Sequence, residues 1–232
     1  YTGAILSYLI QESGKPIVLT GSQMPMDHSY TDAKINIYQS VIYALDKDSC
    51  EVSIVFNGRA IAGTRAKKQR TRSMNAFDSI NFPPLASIYG NTVERAYPSR
   101  KMSPCPKVYQ NVNDRVFLLK LTPGIRPDIF HALAESYDAV ILETFGIGAF
   151  EKALLDWVDA GKALAVTTQV MEEGCDLGVY QVGKRFSEDP RILQAGNMTT
   201  EAVLAKLMWI LGETKEPEKI RELFYRTVNH DR

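Results

Sequence analysis

Lys68 stands in a run of cations, with Arg65, Lys67, Arg70 and Arg72, shortly after the apolar stretch Val52–Phe56. Like-charge crowding and partial burial lower a lysine pKa, and a lysine tuned in this way can polarise the proton-relay partner of a hydroxyl nucleophile. Such chemistry also needs oxyanion donors and a backbone that a ligand can approach closely. Thr20-Gly-Ser-Gln23 offers part of that, since Gly21 admits close approach and Ser22 and Gln23 supply polar contacts. Each feature also has a plainer reading. Most cation runs are solvated loops, and many glycines after strands are ordinary chain exits.

Other chemistries find less support. His28, His131 and His230 are isolated, with no His, Asp or Cys partner at ligand spacing, so no metal site is expected. Ser22 lacks a Gly-x-Ser-x-Gly setting and a histidine partner, which argues against a hydrolase triad. No Gly-x-Gly-x-x-Gly follows the first strand, so no dinucleotide cofactor is expected. Glu172 and Glu173 read as a solvated turn before Gly174, Asp32 as a helix cap, and Asn36 as structural.

These residues need a frame. A helical pattern through Ala4, Ile5, Tyr8, Leu9 and Ile10 runs to Glu12 and ends at Gly14, before a strand over 17–20. Asp32 opens a helix whose apolar face is Ile35, Tyr38, Val41, Ile42 and Leu45, and a strand over 52–56 follows. A polar loop then carries Lys68. Helices interleaved with short apolar strands imply an α/β fold with mainly parallel sheets flanked by helices and Rossmann-like topology. Ligands bind at the carboxyl ends of such strands, where both Gly21–Gln23 and the loop after Phe56 fall.

Three prolines, Pro98, Pro104 and Pro106, punctuate an aperiodic stretch over 97–113 that reads as a linker. It separates a first domain, 1–96, from a second α/β domain, 114–232. There, strands over 116–121, 139–143 and 164–168 alternate with helices, and two final helices cover 200–211 and 218–228. Thr199 or Thr200 caps the first of these.

Lys+Arg and Asp+Glu each number 27, so the formal charge is zero and nothing draws the chain toward nucleic acid or an anionic membrane. No apolar run is long enough to cross a bilayer. Cys50, Cys105 and Cys175 fit free thiols in a reducing cytoplasm. The chain opens at Tyr1 inside a helical pattern without a cap, and so reads as the downstream part of a longer polypeptide.

Taken in order, Thr20-Gly-Ser-Gln-Met-Pro25, Asp32-Ala-Lys-Ile-Asn36 and Gly63-Thr-Arg-Ala-Lys-Lys68 resemble the type I (cytoplasmic) bacterial L-asparaginase family. Phe145-Gly-Ile-Gly148, Thr167-Thr-Gln169 and Gly196-Asn-Met-Thr-Thr-Glu-Ala202 extend the resemblance over the whole chain. Ala149 departs from it, where an asparagine is frequent. The resemblance implies hydrolysis of L-asparagine, with L-glutamine a second candidate, by a threonine nucleophile. Lys68 would be catalytic, and Gly21, Ser22 and Gln23 would bind substrate. It implies no cofactor or metal, a cytoplasmic location, and a homodimer or homotetramer. The family's Gly-Gly-Thr and His-Gly-Thr-Asp-Thr motifs do not occur in these residues, and Tyr1 corresponds to a position just after the second. The segment alone is therefore expected to be inactive. Two alternatives carry the same fold. One is an asparaginase-like subunit of a tRNA-dependent amidotransferase, disfavoured by the type I pattern at Gly21–Gln23 and the neutral charge. The other is a non-catalytic amino-acid-binding module.

Overall fold

The computed structural model describes residues 1–98, 105–175 and 188–232. The chain divides into two compact units, one formed by 1–110 with 228–231 and the other by 111–227 with 232. The linker expected over 97–113 falls partly outside the described residues. Within it, Lys107–Val108 forms a strand of the first unit.

The first unit opens with α1 (Thr2–Leu9) and β1 (Ile10–Gln11). The helix stops three residues before the expected Glu12 because Ile10 adopts extended backbone and pairs with Val108. Tertiary pairing outweighs local helical periodicity here. Next come β2 (Ile17–Leu19), α2 (Ala33–Leu45) and β3 (Val52–Phe56). After them run β4 (Arg59–Ala62), β5 (Ala66–Lys68), β6 (Phe77–Ser79), β7 (Ala86–Tyr89), β8 (Thr92–Glu94) and β9 (Lys107–Val108).

The central sheet has the order β2-β3-β4-β7-β8. Parallel pairing holds between β2 and β3, and from β3 outward the pairs are antiparallel. The switch follows from Asn57-Gly58, whose φ angles of 48° and 75° make the two-residue turn that joins β3 directly to β4. Lys68 consequently ends a strand, with β5 paired to β6, and does not sit in the expected loop.

Helix α2 turns the opposite way from its sequence pattern. Ala33, Asn36, Ser40 and Tyr43 are buried, whereas Ile35, Tyr38, Val41 and Leu45 are 51, 46, 51 and 77% exposed. The buried stripe is polar because the helix ties down neighbouring loops. The Asn36 side-chain amide donates to the Gly21 carbonyl at 2.9 Å, and its Oδ1 accepts from the Asn57 backbone amide at 3.0 Å. Tyr43 joins Val55, Ala60, Ala62, Leu85 and Ile88 in the core beneath, where each large side chain contributes about 1.5–3 kcal/mol.

On the other face of β3, α1 comes very close to the segment after β4. A Cβ at Gly63 would lie 2.6 Å from the Gly3 carbonyl oxygen and 2.7 Å from Ser7 Oγ. Residues 228–231 return to this same unit, so the expected extent of the second domain, 114–232, overshoots by that segment.

The second unit contains β10 (Val116–Lys120), α3 (Ile129–Ala134), β11 (Ala139–Thr144), α4 (Glu151–Asp159), β12 (Ala163–Thr168), β13 (Ile192–Gln194), α5 (Thr200–Glu213) and α6 (Pro217–Tyr225). Its sheet, in the order β10-β11-β12-β13, is parallel throughout. Strand β13 is too short to be read from periodicity. Helix α6 ends at Tyr225, short of the expected Val228. Thr199 caps α5 by accepting from the Ala202 amide at 3.1 Å. Gln169 donates to the carbonyls of Leu121 and Glu143, which gives the Thr-Thr-Gln segment a structural role. No helix among the described residues is long and apolar enough to cross a membrane.

Candidate active site

A cavity of about 340 Å³ opens at the carboxyl end of β2 in the first unit. Gly21, Ser22, Gln23 and Lys68 all line it, so the residues singled out in the sequence converge in space. Tyr1, Thr2 and Gly3 of the α1 entry form one wall, and Phe56 and Phe77 form an apolar floor with ring centroids 5.2 Å apart.

The two sequence motifs meet directly. Lys68 Nζ donates to Gln23 Oε1 at 3.0 Å and lies 5.9 Å from the centre of the Phe77 ring, its cross-strand neighbour. The Gln23 side-chain nitrogen donates to the Ser73 and Arg70 carbonyls at 3.1 and 3.3 Å. Gln23 is thus fastened at both ends of its carboxamide and serves as a clamp for Lys68. The lysine itself is exposed and faces the cavity.

The expected crowding of cations around Lys68 is not the arrangement found. Arg65 is fully buried and donates to the His230 carbonyl, and Arg70 donates to the Asn75 carbonyl at 3.0 Å. Lys68 instead lies beside a neutral amide and an aromatic face.

Asp32 has a larger role than the expected cap. It makes no side-chain capping bond to α2. Its carboxylate accepts from the Gln23 backbone amide at 2.9 and 3.0 Å, from the Met24 backbone amide at 3.0 Å and from the Asn36 side chain at 3.0 Å. Burial pushes its pKa up, but the Gln23 and Met24 amides and Asn36 outweigh that and hold it below its ordinary 3.8. This buried carboxylate shapes the Gly21–Gln23 loop. Its legible signal is the Asp32/Asn36 spacing of four, which puts both side chains on one helix face.

A pH dependence follows. With its folded pKa below 3.8, Asp32 stabilises the loop fully above 3.8, and the contribution disappears as pH falls through the folded value. Thermal melts across acid pH should therefore show a steeper loss for wild type than for Asp32→Asn. Parallel curves would remove Asp32 from this role.

Comparison with known proteins identifies the class. The family model described as asparaginase, N-terminal, matches residues 1–101, and the one described as glutaminase/asparaginase C-terminal domain matches residues 115–224. The chain belongs to the asparaginase family.

Among individual relatives, the chain is 34% identical to the L-asparaginase of Thermococcus kodakarensis over 98% of its own length and 71% of that protein's. It is 33% identical to the D component of the glutamyl-tRNA(Gln) amidotransferase of Metallosphaera sedula, covering 96% of itself but 54% of that protein. It thus spans about half the length of such amidotransferase components. In structure it resembles the thermostable Thermococcus kodakarensis L-asparaginase, with TM-score 0.92 and 32% identity, over all of this chain and 72% of that one. It also resembles L-asparaginase I of Vibrio cholerae, with TM-score 0.86 and 26% identity, over all of this chain and 71% of that one.

Proposed function

We propose that the full-length protein is a type I-like, cytoplasmic L-asparaginase that needs no cofactor. The observation that carries this reading is the 3.0 Å contact between Lys68 and Gln23 in the lining of a cavity at a strand's carboxyl end. In the proposed reaction, a threonine hydroxyl supplied from outside these 232 residues attacks the side-chain amide carbon of L-asparagine. Its proton passes, through a relay that Lys68 polarises, to the leaving nitrogen, and ammonia departs. Water then adds to the acyl carbon, L-aspartate leaves, and the threonine O–H is restored. Gly21, Ser22 and the Gln23 backbone border the substrate. The catalytic domain then takes in 1–96, 97–113 links it to the second domain, 114–232, and 228–231 pack with the first. The test is ammonia release by the purified full-length protein given asparagine, then glutamine. Failure with both overturns the reading, as does native-rate release by the 232-residue segment alone for the location of the nucleophile.

A second reading is supported by the amidotransferase relatives: a component that feeds ammonia to glutamate held on tRNA. The higher coverage of the Thermococcus kodakarensis asparaginase, 71% against 54%, favours the first. Ammonia release without tRNA or a second protein supports the asparaginase, and strict dependence on both supports the alternative.

The assembly proposed is a homodimer or homotetramer. The apolar face of α2, from Ile35 to Leu45, supports it, since an exposed stripe of that size marks a contact surface. A Val41→Lys/Leu45→Glu variant should sediment at a lower mass than wild type while keeping its far-ultraviolet circular dichroism. A wild type that is already monomeric excludes the assembly.

A further inference from the structure

The segment 228–231 is bonded both to α1 and to the residues that lead into β5. Asn229 is 2% exposed, and its side-chain nitrogen donates to Ser7 Oγ at 2.7 Å and to the Val52 carbonyl at 2.8 Å. Ser7 Oγ donates in turn to the Gly3 carbonyl at 2.7 Å, and Tyr8 donates to the Asp231 carboxylate at 2.9 Å. These bonds hold α1, whose first residues form the Tyr1–Gly3 wall. On the opposite side, Thr64 Oγ1 donates to the Asn229 carbonyl and Arg65 Nε to the His230 carbonyl, each at 2.5 Å. Thr64 and Arg65 immediately precede β5, which ends at Lys68. Arg65 and His230 also both pack against Phe82, whose ring centre lies 5.6 Å from the guanidinium and 4.8 Å from the imidazole.

The segment holds unusual backbone. Asn229 and His230 both have positive φ, at 43° and 62°. Two consecutive left-handed residues, one of them not an asparagine or glycine, persist where the surroundings over-determine them. Here that conformation aims two successive carbonyls at Thr64 and Arg65. Asn229, His230 and Asp231 themselves lie outside the cavity lining.

We propose that Asn229-His230-Asp231 is a brace that fixes the separation between the α1 wall and Lys68, with Asn229 as a positioning residue for the reaction. The proposal rests on the asparaginase reading for Lys68. The His230 carbonyl holds Arg65, while its ring packs against Phe82 and Tyr97 and lies 4.0 Å from the Glu51 carboxylate.

The test uses the full-length protein. Asn229→Ala removes both side-chain donors, and Ser7→Ala removes one acceptor more gently should the first variant fold poorly. With all variants held well below their melting temperatures, Asn229→Ala should lose about 10- to 100-fold in kcat with little change in KM, the scale expected of a displaced catalytic group. Ser7→Ala should lose less. Amide hydrogen exchange over 64–68 should accelerate in Asn229→Ala while β10–β12 stay protected. Unchanged kcat, or unchanged exchange at 64–68, in folded Asn229→Ala overturns the brace. If wild type itself releases no ammonia, the functional reading fails separately, and the exchange measurement still decides the brace.

Discussion

Lys68→Met in the full-length protein is expected to lower kcat for asparagine hydrolysis by about a thousandfold, within the range by which a positioned proton-transfer group contributes. Methionine keeps much of the length of the stem and its contact with Phe77 but cannot donate to Gln23 Oε1, 3.0 Å away in the native protein. Because Lys68 is exposed, the cost in stability should be under about 1 kcal/mol, so melting temperature and circular dichroism should barely move. KM should change far less than kcat, since the ammonium serves the moving proton more than the bound amide. Gln23→Ala should reproduce part of the loss by unclamping the lysine. A Lys68→Met protein with near-native turnover would reduce Lys68 to the solvated cation that its sequence context equally allows.

The second large effect is structural. Gly63→Ala is expected to destabilise the first unit by about 3 kcal/mol, the upper range for forced overpacking. The new methyl would lie 2.6 Å from a backbone oxygen of α1 and 2.7 Å from Ser7 Oγ, and backbone cannot move aside as a flexible side chain can. Gly3→Ala makes the informative control. Its Cβ would meet the same region at 3.2 Å, so it should cost distinctly less. Equal melting temperatures for the two variants would mean that α1 shifts freely. That outcome would also weaken the view that the wall is fixed.

These effects explain why Gly63-x-Arg65-x-x-Lys68 is recognisable in sequence while its division of labour is not. Gly63 admits α1, Arg65 is drawn into the interior by the 228–231 segment, and Lys68 faces the cavity. The first and second roles depend on partners at Gly3 and His230, the latter 165 positions away, which no local pattern encodes. Gly21–Gln23 is legible because a strand followed by glycine and short polar residues falls at the carboxyl end where α/β folds bind ligands. Asp32 misleads because an acidic residue before a helix is ordinarily a cap, whereas here its carboxylate turns back to the preceding loop.

Helix α2 differs in another way. Its period is plain in the sequence, since Ile35, Tyr38, Val41 and Leu45 do share a face. Which face meets the sheet is not. Asn36 occupies the interior because its side chain donates to the Gly21 carbonyl and accepts from the Asn57 amide, bonds that an aliphatic stripe cannot supply, and the Ser40 hydroxyl donates to the Asn36 carbonyl at 2.7 Å. In the second unit, alternating strands and helices are legible almost throughout because a parallel sheet keeps each strand apolar on both faces.

The returning segment also sets a timetable for synthesis. Ser7 and Asn229 are 222 positions apart, and Tyr8 and Asp231 are 223. At ribosomal rates, roughly 10–45 s separate the emergence of the two sides. Until the later side arrives, α1 and the approach to Lys68 lack their tie, however early the central sheet has formed. A nascent chain of this protein is therefore expected to hold an open, chaperone-accessible pocket until residues 228–231 have emerged, and to acquire its working geometry only afterwards.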